Sequence, residues 1–158
     1  MRAVRDYLVR DYLAQAAYQY EGLASILSRP IQARLAAQRA RAVQRLWPAP
    51  AAAACEHAVR IAERVAAGEE VLASEIDAAD RFLVAYMERS PSDGPTVLYA
   101  VDAARCAARC GAAAVARRVA WASCDCSHGL RAWVGRLGAW LDAERELQAA
   151  MEEVGCGG

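Results

Sequence analysis

The stretch at residues 96–124, TVLYAVDAARCAARCGAAAVARRVAWASC, constrains the fold more than any other part of the chain. At 100° per residue, Asp102, Arg105 and Arg109 share one narrow wedge, and a seam of small apolar side chains lies opposite. A further apolar side means that this helix needs neighbours on two sides, and alanine and glycine let those neighbours approach closely. The pattern predicts one long central helix in an all-α bundle. The seam consists of Val101, Ala108, Ala112, Val115, Val119 and Ala122.

The rest of the chain contains five more stretches with helical periodicity and none with the period-2 alternation of a strand. We therefore expect a single-domain bundle of five or six helices over residues 1–154, followed by a flexible tail at 155–158. Gly135 and Gly138 inside the last helix predict a close helix crossing. The predicted helices, besides the central one, cover 2–28, 31–46, 51–67, 70–89 and 130–154.

Proline and glycine mark several of the helix ends. Pro30 disfavours helix at the residue before it, so it ends the first helix. Gly68 follows the predicted helix at 51–67 and is expected to be its C-cap. The sequence Ser-Pro-Ser-Asp-Gly-Pro at 90–95 predicts a loop.

The charged residues exclude some functions. All 19 basic residues are arginine, and the net charge is zero. Without lysine, a standard phosphate-binding loop, a Schiff-base enzyme and a kinase-type ATP site are excluded. Residues 1–50 hold eight arginines against three acids, and residues 51–100 hold four against nine. This asymmetry predicts pairing between the two halves, with an acidic protein partner as the alternative. Nucleic-acid binding is disfavoured because no aromatic interleaving or known motif accompanies the arginines.

The amino terminus carries charges every few residues and lacks the apolar core of a signal peptide. No uncharged apolar run approaches the roughly 18–20 residues that a spanning helix needs. We therefore expect no membrane association and a cytoplasmic location. The six cysteines are then expected to be reduced, buried or bound to metal rather than joined in disulfides.

Cys124, Cys126 and His128 form the most suggestive chemical cluster, because a Cys-x-Cys-x-His turn offers three ligands for zinc or copper. A fourth ligand is hard to place, since Cys110 lies about 21 Å away along a continuous helix. A reactive Cys–His pair is another alternative. Cys106 and Cys110 resemble the Cys-x-x-x-Cys pairs of copper-storage bundles, but this chain has the pair once. Packed structural thiols and no cofactor are the prediction, with zinc or copper as the alternative.

Catalytic constellations are missing from the sequence. It contains no Glu-x-x-His, which disfavours a ferritin-type di-iron centre, and only two histidines. Acids such as Glu56 and Asp77 stand four residues before Arg60 and Arg81, as in exposed helical salt bridges. We predict that the protein is not an enzyme.

Aromatic side chains mark two candidate surfaces for a protein partner. Tyr7 and Tyr12 belong to the first helix, which also carries Tyr18 and Tyr20, and Trp133 and Trp140 belong to the last helix. We predict that Tyr7, Tyr12, Trp133 and Trp140 bind a partner, because an interaction module exposes a sizeable apolar patch. The alternatives are rings that pack on the bundle with hydroxyls in water, or a tyrosine cluster that binds a ligand.

Residues 43–124 resemble a loosely defined group of alanine-rich helical proteins from large-genome bacteria. The shared pattern is Arg45-Leu46-Trp47, the helix CEHAVRIAERVAAGE at 55–69, an Ala-Ser-Glu turn at 73–75 and a following helix rich in alanine, tryptophan and cysteine. The block is also similar, more distantly, to predicted immunity proteins of bacterial toxin systems. The histidines that recur in the alanine-rich helix of those proteins are absent from 96–124.

The resemblance implies a non-enzymatic protein-interaction module, an immunity-like or scaffolding partner in a bacterial defence or toxin system. Its partner is another protein, with a homo-oligomer as the further alternative. A small metal-binding or redox protein that uses Cys124, Cys126 and His128 is the competing hypothesis.

Overall fold

The computed structural model describes the backbone of residues 2–123 and 130–157, and the side chains of 11–123, 132 and 134–155. Within these residues the chain forms seven α-helices and no strand. Two short 3₁₀ turns, Gln44–Leu46 and Pro91–Asp93, lie in connections. The helices are α1 (Arg2–Ala24), α2 (Arg29–Arg41), α3 (Ala49–Ala66), α4 (Ala73–Arg89), α5 (Pro95–Ala108), α6 (Ala112–Ala122) and α7 (Leu130–Gly157).

The all-α prediction is confirmed, but the described helices number seven instead of five or six. The difference arises in the stretch at 96–124, which forms α5 and α6 instead of one long helix. The chain turns at residues 109–111, where Cys110 has a φ of 59°. The amide of Cys110 donates to the carbonyl of Ala107 at 2.8 Å, and the amide of Gly111 donates to the carbonyl of Cys106 at 3.2 Å. These two bonds are the Schellman motif that ends a helix.

The turn makes α5 and α6 an antiparallel hairpin. Nε of Arg118 donates to Oδ2 of Asp102 at 2.7 Å. In one continuous helix, the same two residues would stand about 24 Å apart. The hairpin packs against every other helix, because α5 packs on α2, α3 and α4 while α6 packs on α1, α2 and α7. The stretch is central to the bundle, as predicted, but as a folded pair.

Alanine dominates the interior. All six residues of the predicted seam are buried, because each half of it lies on the inner face of its own helix. Small side chains on both helices allow the backbones to approach closely. The other large contributors to the core are fully buried aliphatic and aromatic side chains, namely Leu35, Val43, Val59, Ile61, Leu83 and Trp140.

The end of α3 confirms the predicted glycine cap. Gly68 has a φ of 84°, a conformation that glycine adopts without a steric cost. Its amide donates to the carbonyl of Val65, and the amide of Glu69 donates to the carbonyl of Arg64, both at 3.0 Å. This is the same motif that ends α5, with glycine in the position that Cys110 occupies there.

The arginines of α2 pair with acids on two other helices. Arg41 binds Glu56 and Glu63 of α3, whereas Arg34 and Arg39 bind acids of α7. The halves of the chain are thus joined by ion pairs, and the acids come from the last helix as well as from 51–100.

Two local expectations need correction. The pair Glu56–Arg60 is present at 2.9 Å, but Asp77 binds Arg109 of the hairpin in place of Arg81. Gly138 is exposed, and no atom lies within 4 Å of a Cβ built on it, so it marks no close crossing. None of the described helices is long and apolar enough to cross a membrane.

Candidate functional site

Helix α1 exposes large apolar side chains. Tyr18 is 80% exposed, and Tyr12 and Leu23 are about half exposed. Ile26, in the turn after the helix, is 74% exposed. We call these four residues the α1 surface. It spans both flanks of the helix, because Tyr18 lines the groove on the α6 side and Leu23 lines the cavity on the α7 side. The opposite face of the helix seats it on the bundle through Leu13, Ala16, Ala17, Tyr20 and Ala24, whose spacing follows the helical period.

A groove runs beside the α1 surface, between α1, the first turn of α6 and the start of α2. Its volume is about 410 Å³. Six of its thirteen lining residues are alanines, and Tyr18 forms part of one wall. The polar lining residues are Tyr18, Glu21, Ser25, Gln32, Arg117 and Arg118.

The groove holds charges of both signs. The Arg118 guanidinium is held by Asp102, and the Gln32 side chain donates to the carbonyl of Leu27 at 2.8 Å. Glu21 and Arg117 form no ion pair with any side chain that the structure describes. The groove can therefore contact a partner with one free carboxylate, one free guanidinium and an apolar floor.

Trp140 was predicted to bind a partner, and the structure places it in the core instead. It is 1% exposed, its ring lies 5.6 Å from that of Tyr20, and its Nε1 donates to Glu144 at 2.6 Å. The inner face of α7 packs against the bundle, so the apolar stripe that carries Trp140 is covered. Burial, and then the charge of Glu146, raise the pKa of Tyr20 well above its usual value.

The other predicted partner-binding residues have different outcomes. Tyr12 is about half exposed, and its role in partner binding stays a prediction. Tyr7 lies on α1 and Trp133 on α7, but their side chains fall outside the described residues. The sequence indicates Tyr18 only as part of the tyrosine cluster, and the structure makes it the most exposed large apolar side chain described.

The predicted metal ligands Cys124, Cys126 and His128 lie outside the described residues, so a zinc or copper site there stays a prediction. Within the described part of the chain, no group of three or more His, Cys, Asp or Glu side chains could hold a metal ion. Cys106 and Cys110 do not form a helical pair, because α5 ends between them.

Cys55, Cys106 and Cys110 are buried free thiols. Burial raises the pKa of Cys55 to about 12, and it raises the pKa of Cys106 and of Cys110 as well. A thiol with a raised pKa carries little thiolate at neutral pH, and the thiolate is the nucleophile. These three cysteines are therefore packing groups in the folded chain.

A charged network that joins α4, α5 and α6 was not predicted. Arg105 binds both Asp80 and Asp102. Arg109 also binds Asp80, and Arg118 also binds Asp102. Although its burial opposes ionisation, hydrogen bonds from Arg109 and Arg105 hold the pKa of Asp80 below its usual value. The sequence placed Asp102, Arg105 and Arg109 on one wedge, but nothing in it located the partners Asp80 and Arg118.

An aromatic contact near the end of α6 was also missed. The rings of Tyr99 and Trp121 stack with their centroids 6.1 Å apart, and the guanidinium of Arg136 lies 4.2 Å from the Trp121 ring. This contact joins α5, α6 and α7 by stacking and cation–π attraction.

Comparison with protein-family models, with curated proteins and with solved structures gives no match.

Proposed function

We propose that this protein is a non-enzymatic protein-interaction module whose partner contacts the α1 surface. The observation that carries the proposal is the concentration of exposed apolar side chains. Of the ten large apolar residues that are exposed in the described chain, Tyr12, Tyr18, Leu23 and Ile26 belong to this one segment. These side chains lie on both flanks of α1, so a partner that covers the helix would contact them together, whereas scattered single apolar side chains are ordinary.

The chemistry of the surface suits a protein partner. Tyrosine offers a large apolar ring and a hydroxyl at little cost in side-chain entropy, and it is enriched at interfaces. Tyr18 also lines the groove, so a side chain of the partner that enters the groove would pack against its ring. Glu21 and Arg117 can pair with opposite charges at the rim of such an interface.

The resemblance of residues 43–124 directs the search for the partner. It supports an immunity-like or scaffolding role in a bacterial defence or toxin system, with the protein in the cytoplasm. In that role the partner is a toxin or another protein of the same system.

Photo-crosslinking at single positions tests the proposal. Tyr18 is replaced by the photoreactive residue benzoylphenylalanine in the full chain, which is then expressed in the native host cells. The matched control carries the same residue in place of Phe82, an aromatic side chain of α4 that is 51% exposed. Both replacements exchange one exposed aromatic ring for another, so the fold is retained.

We expect illumination to attach one other protein to position 18 and not to position 82. The captured protein should then bind the purified chain, and Tyr18→Ala should weaken that binding by at least about tenfold, as for a residue at the centre of an interface. Capture of the same proteins at both positions, or of none at position 18, would contradict the proposal.

A further inference from the structure

We propose that α1 is an exchangeable helix, which leaves its own bundle and occupies the same seat on a second copy of the chain. This inference goes beyond the proposed function, because it concerns self-association. The partner is a second copy, since the surface of α6 and α7 on which α1 packs is already complementary to α1. Both helices lie far from α1 in sequence, so either copy can supply α1 without changing the contacts.

Residues 11–24 of α1 form no ion pair with another described helix. Every other helix forms an ion pair with a neighbouring helix, for example Arg39–Glu146 between α2 and α7 or Arg64–Glu75 between α3 and α4. In the part of α1 with described side chains, residues 11–24, the side-chain hydrogen bond of Gln15 goes to Asp11 of the same helix. Release of this part breaks no ion pair and no side-chain hydrogen bond to another described helix.

Helix α1 is loosely packed on both flanks. The groove of about 410 Å³ lies on its α6 side, and a cavity of about 200 Å³ lies between α1 and α7. Three of the five side chains that seat the helix are alanines, which bury little area. A helix with cavities on both flanks and few large buried side chains belongs to the least stable part of a fold, where local opening is easiest.

The connection from α1 to α2 is short. Four residues, 25–28, join the helices, and within them Leu27 is buried while Ile26 is 74% exposed. In a two-fold dimer that exchanges α1, the two connections run past each other near the symmetry axis. The exposed Ile26 then meets the connection of the other copy and is covered, which stabilises the exchanged form relative to the closed one.

The length of the connection determines which form is favoured. Apart from the contact of Ile26, the contacts of α1 are the same in both forms, so the balance depends mainly on how readily the connection lets α1 fold back on its own chain. Three proteins test this: the wild type, a variant with Gly-Ser-Gly inserted between Ser25 and Ile26, and a variant that lacks Ser25 and keeps Ile26. Light scattering on a size-exclusion column gives the mass, and circular dichroism gives the helix content.

We expect the wild type to form a dimer at high concentration, and the insertion to remove it. The deletion should lower the dimer dissociation constant by about 100-fold. The shortened connection hinders α1 from folding back on its own bundle, so the intramolecular contact loses the high effective concentration that lets it compete with exchange. A dimer that is insensitive to the insertion would be a surface dimer and would overturn the proposal. A wild type that stays monomeric, together with a deletion variant that is monomeric or unfolded, would overturn it as well.

Ile26→Ser provides a further measurement that does not depend on the deletion variant. It should keep the helix content of the wild type and weaken the wild-type dimer, whereas Leu72→Ser, at another exposed position, should leave the dimer unchanged. Equal effects of the two substitutions would contradict the role assigned to the connection.

Discussion

Arg118 and Asp102 are sixteen residues apart in sequence, and their side chains are joined by a hydrogen bond of 2.7 Å between Nε and Oδ2. Asp102 also accepts from Arg105 at 2.6 Å. One carboxylate thus holds two guanidinium groups, and it connects both arms of the hairpin on which the other helices pack.

Asp102→Asn should therefore destabilise the fold by about 2 kcal/mol, since it leaves two partly buried guanidinium groups with a weaker acceptor. Urea unfolding followed by circular dichroism measures the change. The control is Asp142→Asn in the exposed pair with Arg145, for which we expect a change within about 0.5 kcal/mol. Equal effects of the two substitutions would show that the hairpin does not depend on Asp102.

The positive φ of Cys110 leads to a second prediction. Valine resembles cysteine in size, but a β-branched side chain is strongly disfavoured at positive φ. Cys110→Val should cost about 2 kcal/mol more in unfolding free energy than Cys106→Val, because Cys106 lies within regular helix. Both positions are buried, so the difference between the two variants isolates the backbone effect. No difference would argue against the turn at 109–111.

The alanine interior leads to a third prediction, which concerns volume. Ala107 is fully buried in α5, and leucine there has no space to occupy. Ala107→Leu should destabilise the protein by about 1–3 kcal/mol through overpacking. The same exchange at Ala149, an exposed position of α7, should remain within about 0.5 kcal/mol. Thermal and urea unfolding of both variants would reveal whether α5 is as closely packed as the structure indicates.

The ion pairs of Glu56 lead to a fourth prediction, on pH. Hydrogen bonds from Arg41 and then from Arg60 lower the pKa of Glu56 to about 2. A carboxyl with a lower pKa in the folded state than in the unfolded state stabilises the fold when ionised. That stabilisation should be complete above about pH 5 and should disappear as the pH falls toward 2.

Glu56→Gln should therefore be less stable than the wild type at pH 7, and the two stabilities should converge at low pH. The midpoints of urea unfolding, measured at a series of pH values, give the comparison. Glu70→Gln, at an exposed acid of the α3–α4 connection, should retain the pH dependence of the wild type. If the unfolding midpoints of Glu56→Gln and of the wild type changed with pH in parallel, the lowered pKa of Glu56 would be contradicted.

The buried thiols lead to a fifth prediction. In a variant that carries Cys124→Ser, Cys126→Ser and Cys156→Ser, the remaining cysteines are Cys55, Cys106 and Cys110. Their burial and raised pKa values predict no rapid reaction with DTNB in the folded protein and three reactive thiols in urea. Mass mapping identifies any site that reacts early, and rapid labelling of one of the three would contradict its packing role.

The comparison between Gly68 and Cys110 shows what the sequence can predict. Both residues occupy the left-handed position of a Schellman motif. Glycine is the residue expected there, so the end of α3 could be predicted, whereas a cysteine in that position carries no such signal. The periodicity at 96–124 continued through the turn, because the seam residues on both sides of it are apolar. Because the apolar spacing is not interrupted at the turn, the sequence pattern predicts one helix where the structure has α5 and α6.

The candidate site was predicted in part, for a similar reason. Periodicity identifies the apolar stripe of a helix but not the neighbours that cover it. Trp140 lies on such a stripe and is buried, whereas its neighbour Leu141 is 53% exposed. Tyr18 stands opposite the inner face of α1, and its exposure follows from that periodicity once Leu13 and Tyr20 are known to be buried.

The alanine interior also limits how this sequence can diverge among related proteins. Most cores lose stability when a large side chain shrinks, but here many buried positions already hold a small one. Replacement by a larger residue meets a packed neighbour, and replacement by glycine weakens the helix by about 1 kcal/mol. Substitutions should therefore accumulate on exposed faces and among ion-pair partners, so that distant relatives would share a spacing of small residues and little else.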